Sequence, residues 1–183
     1  MHQFRITLAL LLFPLFTQAQ DTDRLPYTEL NAGVSIIQEA LREGYTYAPV
    51  MLMPTTSLFH FGRFSVYAEG QLAYARLPSP SQPEAFEAGI NVGLRYQRAL
   101  GKEVLLSAAI GAGPHYITLR TESQAPGFIF SDNFELGASY LPEGRRTGFN
   151  LRARFRHISN AGFKYPNLGV DNLFVIAGLR WAL

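Results

Sequence analysis

From residue 28 onward the apolar positions recur with a period of two. Between Phe86 and Gln97 every even position is apolar (Phe86, Ala88, Ile90, Val92, Leu94, Tyr96), and every odd one is polar or glycine. Such a segment has one apolar and one polar face, as a strand does. In Phe64–Leu72 the even positions are again mostly apolar and the odd ones mostly polar, with Ser65, Glu69 and Gln71 on the polar side. So do Phe134, Leu136, Ala138 and Tyr140 against Asn133, Glu135 and Ser139, and Phe149, Leu151, Ala153 and Phe155 against Asn150, Arg152, Arg154 and Arg156. The last segment sets Leu173, Val175, Ala177, Leu179, Trp181 and Leu183 against Gly178 and Arg180. The pattern predicts eight strands, near 28–38, 45–53, 63–76, 85–98, 103–118, 128–141, 147–158 and 170–182. Pro49 and Pro54 interrupt the second, and proline inside a strand marks an edge or a bulge. The fifth is blurred, because Val104–Gly113 is nearly all small or apolar and Pro114 follows.

Composition narrows the class. The chain has 183 residues, 48% hydrophobic and 13% aromatic, which excludes a disordered chain and fits one domain. The absence of cysteine excludes a disulfide scaffold and a thiolate metal site. Sixteen Lys and Arg against 14 Asp and Glu leave a net charge of +2, with no polybasic arm for nucleic acid. At the N-terminus, Arg5, the apolar run Leu8–Phe16 and Thr17-Gln18-Ala19 have the order of a secretory signal peptide. Residues 1–19 are therefore expected to be removed, leaving 20–183 as a single domain. No later apolar run approaches the roughly 18 residues of a membrane-spanning helix, but a closed barrel needs only about 9–11 residues per strand.

Two barrels fit the alternation. A soluble lipid-binding barrel turns its apolar face inward; an outer-membrane barrel turns it toward lipid. Glu69, Glu87, Glu135, Arg95, Arg152, Arg154, Arg156 and Arg180 all fall on polar faces. Opposite charges gathered inside an eight-stranded barrel can pair, and an interior that narrow is filled by side chains. Three arginines in one row, long strands and abundant aromatics favour the membrane barrel. The connections agree: 99–102 and 142–146 read as short periplasmic turns, while 77–84, 121–127 and 159–169 read as longer extracellular loops. The fold class expected is all-β, an eight-stranded antiparallel transmembrane barrel with a filled polar interior.

The barrel core accounts for most ionisable residues, but not for the end of the seventh strand. His157 and Ser159 are odd-numbered and continue the face of Leu151 and Phe155; Asp171 continues that of Leu173 and Val175. All three therefore point at lipid near the extracellular rim, on neighbouring strands. Ionisable groups facing a membrane are functional candidates. Ser159 as nucleophile, His157 as base and Asp171 holding the imidazole would make a serine esterase. The same residues also suit a hydrated rim cluster that anchors the strand end. No Gly-x-Ser-x-Gly elbow occurs, which excludes a soluble α/β-hydrolase. His60, expected in a periplasmic connection, and His115, near the extracellular end of the fifth strand, have no Cys or His partner at metal-ligand spacing. No metal and no cofactor are expected. Phe163, Tyr165 and Tyr116 read as an aromatic girdle before they read as an acyl-chain site.

The stretch His157-x-Ser159-Asn160-Ala161-Gly162-x-x-x-Pro166-Asn167-x-Gly169 resembles the lipid A 3-O-deacylase (PagL-type) family of outer-membrane esterases. Outside the last two strands the resemblance is architectural. It implies a barrel with a Ser-His-acid triad on its lipid-facing surface, acting on the 3-position ester of lipid A in the outer leaflet of a Gram-negative outer membrane. His157 and Ser159 match the family's base and nucleophile. The family's acid is usually Glu; Asp171 stands at the matching spacing. Asn160 and the N–H of Gly162 are the oxyanion donors this implies, and Pro166-Asn167-Leu168-Gly169 has turn composition that would close the loop. The partner implied is lipopolysaccharide; pairing of two copies as a homodimer is left open. The rival readings are a non-catalytic structural or adhesive barrel and a secreted lipid-binding barrel.

Overall fold

The structure, a computed structural model, describes residues 26–38, 47–121 and 124–183. The expected signal peptide lies outside these. Eight antiparallel strands follow in chain order: β1 (Tyr27–Gln38), β2 (Val50–Phe61), β3 (Phe64–Ser79), β4 (Gln82–Leu100), β5 (Val104–Ile117), β6 (Gly127–Tyr140), β7 (Thr147–Ser159) and β8 (Val170–Ala182). Each pairs with the next, and β1 closes on β8.

The faces sort as the alternation requires. Leu30, Leu72, Ile90, Phe134 and Leu151 stand about half exposed on the outside, whereas Glu29, Glu69, Glu87, Glu135, Arg95, Arg152, Arg154, Arg156 and Arg180 are buried inside. Of these charged residues only Glu29 escaped the sequence pattern. An exterior of Leu, Ile and Phe around a charged interior is the reverse of a water-soluble fold, so the outer solvent is hydrocarbon. Inside, Arg154 pairs with Glu69 at 2.7 Å and Glu135 at 2.8 Å, Arg156 with Glu87 at 2.7 Å, and Arg152 with Glu29 at 2.6 Å. At the end bearing the 160–169 loop the interior becomes apolar, where Tyr47, Ile117, Leu119, Ile129, Ile158 and Val170 pack together.

Three expectations need correction. The second strand is Val50–Phe61, not 45–53. Pro54 stands within it, opposite Leu30, with its ring pointing outward over Gly70, which has no side chain to obstruct it. Proline breaks a strand when its ring and missing N–H meet a packed neighbour; here the pairing with β3 lapses locally and resumes at Thr55. His60 consequently belongs to β2, its ring edge-on to Tyr27, and the periplasmic-type turn is Gly62–Arg63. The expected 77–84 loop is mostly strand: β3 and β4 run on to a tight Pro80–Ser81 turn, with the Tyr74 hydroxyl donating to Glu84 at 2.9 Å.

Candidate active site

β7 and β8 are paired so that His157 lies directly opposite Asp171. Both project outward, and the imidazole Nδ1 meets Asp171 Oδ1 at 2.7 Å. Asp171 is 4% exposed, while the His157 side chain keeps about a third of its surface open (32%). The carboxylate is thus sealed against its partner and the imidazole is accessible. With Nδ1 donating to Asp171, Nε2 is left as an acceptor, the tautomer a general base requires. Ser159 follows two residues later on the same face, about 6.6 Å along the strand between Cα atoms. The structure joins His157 to Asp171, while Ser159, two residues further along β7, makes no side-chain hydrogen bond to either of them.

Gly169 fits this pair for a reason beyond closing a turn. Its φ is +81°, and a Cβ built there would stand 2.8 Å from Nε2 of His157. Any side chain would displace the imidazole edge that faces away from Asp171.

Asn160 and Gly162 are engaged within the loop itself. The Asn160 side-chain amide donates to Lys164 O at 2.6 Å, and its carbonyl oxygen accepts from Gly162 N at 3.0 Å and Lys164 N at 3.4 Å. The Asn160 backbone N–H donates to Asn167 Oδ1 at 2.7 Å. Asn160 is buried and organises the turn around Ala161 and Gly162, both at positive φ. For either group to bind an oxyanion, it must exchange one of these bonds for the substrate oxygen. The loop is also tied to the one before it: Gln124 bridges Asn167, and Ala125 N donates to Pro166 O at 2.8 Å.

The sequence reading missed Asp132. It is exposed on β6, directly across from His157 on the side opposite Asp171. Its even number, shared with Phe134 and Leu136, was a usable signal that a carboxylate sits on the lipid face. Below it an open apolar groove of about 710 Å³ starts at His157 and Asp132 and runs over Phe155, Phe134, Ile110 and Val92.

His115 lies inside the barrel, with Nδ1 2.7 Å from Glu87. Arg156 occupies the same carboxylate at 2.7 Å. A guanidinium there is unfavourable for a metal ion, and among the described residues no group of three His, Cys, Asp or Glu could hold one.

The profile of the lipid A 3-O-deacylase (PagL) family matches residues 42–180. Among solved structures, the outer-membrane enzyme PagL superposes with a TM-score of 0.62 at 17% identity, covering 85% of this chain and 99% of that one. Neisserial surface protein A superposes with a TM-score of 0.62 at 12% identity, covering 86% and 97%. OprG from Pseudomonas aeruginosa gives 0.55 at 11% identity, covering 87% and 96%. No curated protein sequence matches the chain.

Proposed function

Since the chain belongs to the lipid A 3-O-deacylase (PagL) family, we propose that it is an outer-membrane ester hydrolase that removes the 3-O-linked acyl chain of lipid A. Its nucleophile is Ser159, its base His157, and its orienting acid Asp171. The observation that carries this reading is the 2.7 Å His157–Asp171 contact on the lipid-facing surface, at the head of an apolar groove. Fold likeness alone would not carry it, since PagL and Neisserial surface protein A superpose equally well. Residues 1–19 act as the leader that sends the chain to the envelope.

The proposed reaction runs through these residues as follows. Lipid A stands in the outer leaflet with its ester near the headgroup boundary, and its acyl chain lies in the groove under Asp132 and His157. His157 Nε2 takes the Ser159 proton as Oγ attacks the ester carbonyl. The imidazolium so formed is stabilised by Asp171. The tetrahedral oxyanion is bound by N–H groups at the turn after Ser159, with Asn160 and Gly162 as the nearest candidates. Collapse breaks the bond to the sugar 3-oxygen, which leaves as the hydroxyl by taking the proton from the His157 imidazolium. Water then repeats the sequence on the acyl-enzyme and releases a 3-hydroxy fatty acid. A positioned general base contributes about 10²–10⁴-fold to such a step.

The test is the mass spectrum of lipid A from cells expressing the wild type, Ser159→Ala or empty vector. Loss of one ester-linked 3-hydroxyacyl group only when the serine is present is the expected result. An unchanged spectrum with well-inserted wild-type protein, on lipid A that carries this ester, would refute the assignment.

A further inference from the structure

The loop after Ser159 holds apolar side chains in the open on a rigid base. Phe163 is 74% exposed and Tyr165 87%. Their backbone is not free to fold them away, because the buried Asn160 side chain bonds to Gly162 and to both N–H and C=O of Lys164. A second anchor joins the loop to Gln124 and Ala125. Phe163 leans back on Phe128 and Phe130, with ring centres 6.3 and 6.4 Å away, and Phe130 is the cross-strand neighbour of Ser159. Exposed aromatics fixed at a barrel rim belong to the layer of lipid headgroups.

Between them stands Lys164, the single charged residue in 160–169. It is exposed, and its backbone is clamped by the residue that follows Ser159. On β6 and β8 the outward charges beside His157 are carboxylates: Asp171 is committed to His157, and Asp132 is exposed on the far side of the imidazole, whereas the exposed Arg120 lies beyond β5 with its backbone N–H bonded to Gln82 of β4. The arginines of β7 all point into the barrel. An anionic headgroup arriving at Ser159 is therefore repelled from the β6 side and attracted to the loop.

We propose that Lys164 is a specificity residue that pairs with a phosphate on the substrate's sugar headgroup, so that the site selects phosphorylated glycolipids. This rests on the esterase reading for its substrate class and adds the group that recognises the headgroup. An exposed lysine–phosphate pair is a modest contact, about a two- to fivefold preference, and it weakens as salt rises.

The experiment compares binding of lipid A and enzymatically dephosphorylated lipid A to purified full-length Ser159→Ala protein, which holds the ester uncut, by native mass spectrometry from detergent. The expected result is a two- to fivefold preference for the phosphorylated lipid. It should vanish in Ser159→Ala/Lys164→Gln and survive in Ser159→Ala/Lys164→Arg. In the serine-intact protein, Lys164→Gln should raise KM for phosphorylated substrate alone and leave kcat unchanged. A preference that persists in the glutamine variant, or is missing from the parent, overturns the proposal. A preserved preference in a wild-type protein that cleaves nothing would refute the esterase and leave the phosphate site standing.

Discussion

Arg154 and His157 are three residues apart on β7, on opposite faces of the sheet, and their surroundings differ completely. Arg154 is buried, and its guanidinium donates to Glu69 at 2.7 Å and to Glu135 at 2.8 and 3.1 Å. His157 has one carboxylate at 2.7 Å and an open edge. Ion pairing that nearly saturates a buried charge offsets its desolvation but leaves little to offer a substrate. A half-satisfied imidazole is of little use to stability, yet it has a lone pair available for a proton. The interior network serves the fold, and the outer pair is the one the proposed esterase reading assigns to chemistry.

The largest break in this comparison comes from Ser159→Ala. Ester hydrolysis should fall by at least about 10³-fold while stability moves by no more than about 0.5 kcal/mol. Parallel activity assays and urea unfolding in detergent would measure both. A barrel that unfolds more easily without the hydroxyl would mean the rim also serves the fold.

Next comes Asp171→Asn, which keeps the shape but removes the charge that holds the tautomer. A fall of about 10²–10⁴-fold in kcat is expected, against less than about tenfold for Asp132→Asn. The two variants assayed together identify the triad's acid. The reverse ranking would move that role across the imidazole to β6.

Arg154→Met reverses the pattern. It strands Glu69 inside the barrel and takes from Glu135 one of its three arginine partners, Arg95 and Arg152 remaining, and should cost about 3–5 kcal/mol in unfolding free energy, while kcat of the folded fraction stays within about twofold. Equal loss of activity in fully folded protein would show that the two regions are coupled.

Gly169→Ala gives the smallest effect. The residue sits at positive φ against the imidazole, so the methyl should cost about 1 kcal/mol and lower kcat roughly tenfold by tilting His157. A melting curve and a turnover assay on one preparation suffice, and unchanged kcat would mean the ring finds another seat.

Much of this was legible in the chain. Facing is a local property: successive strand side chains alternate by stereochemistry, so parity alone sent Arg152, Arg154 and Arg156 inward and Leu151 and Phe149 outward. It failed where a residue's cost depends on its neighbour. Pro54 looked like a strand breaker because the sequence does not say that Gly70 lies across from it. The prolines of 77–84 looked like a loop because nothing local reveals that the hairpin extends past Arg76 and Glu84.

The sequence by itself determined the barrel, its inside-out polarity and the family motif. All follow from period-two alternation or from residues close in the chain. The tertiary structure alone decided which residues meet. Strand register set Asp132 beside His157, the loop conformation put Gly169 under the imidazole edge, and the Asn160 amide was drawn into the loop that presents Lys164. Register and loop closure are collective choices among many near-equal pairings, settled when the whole sheet closes.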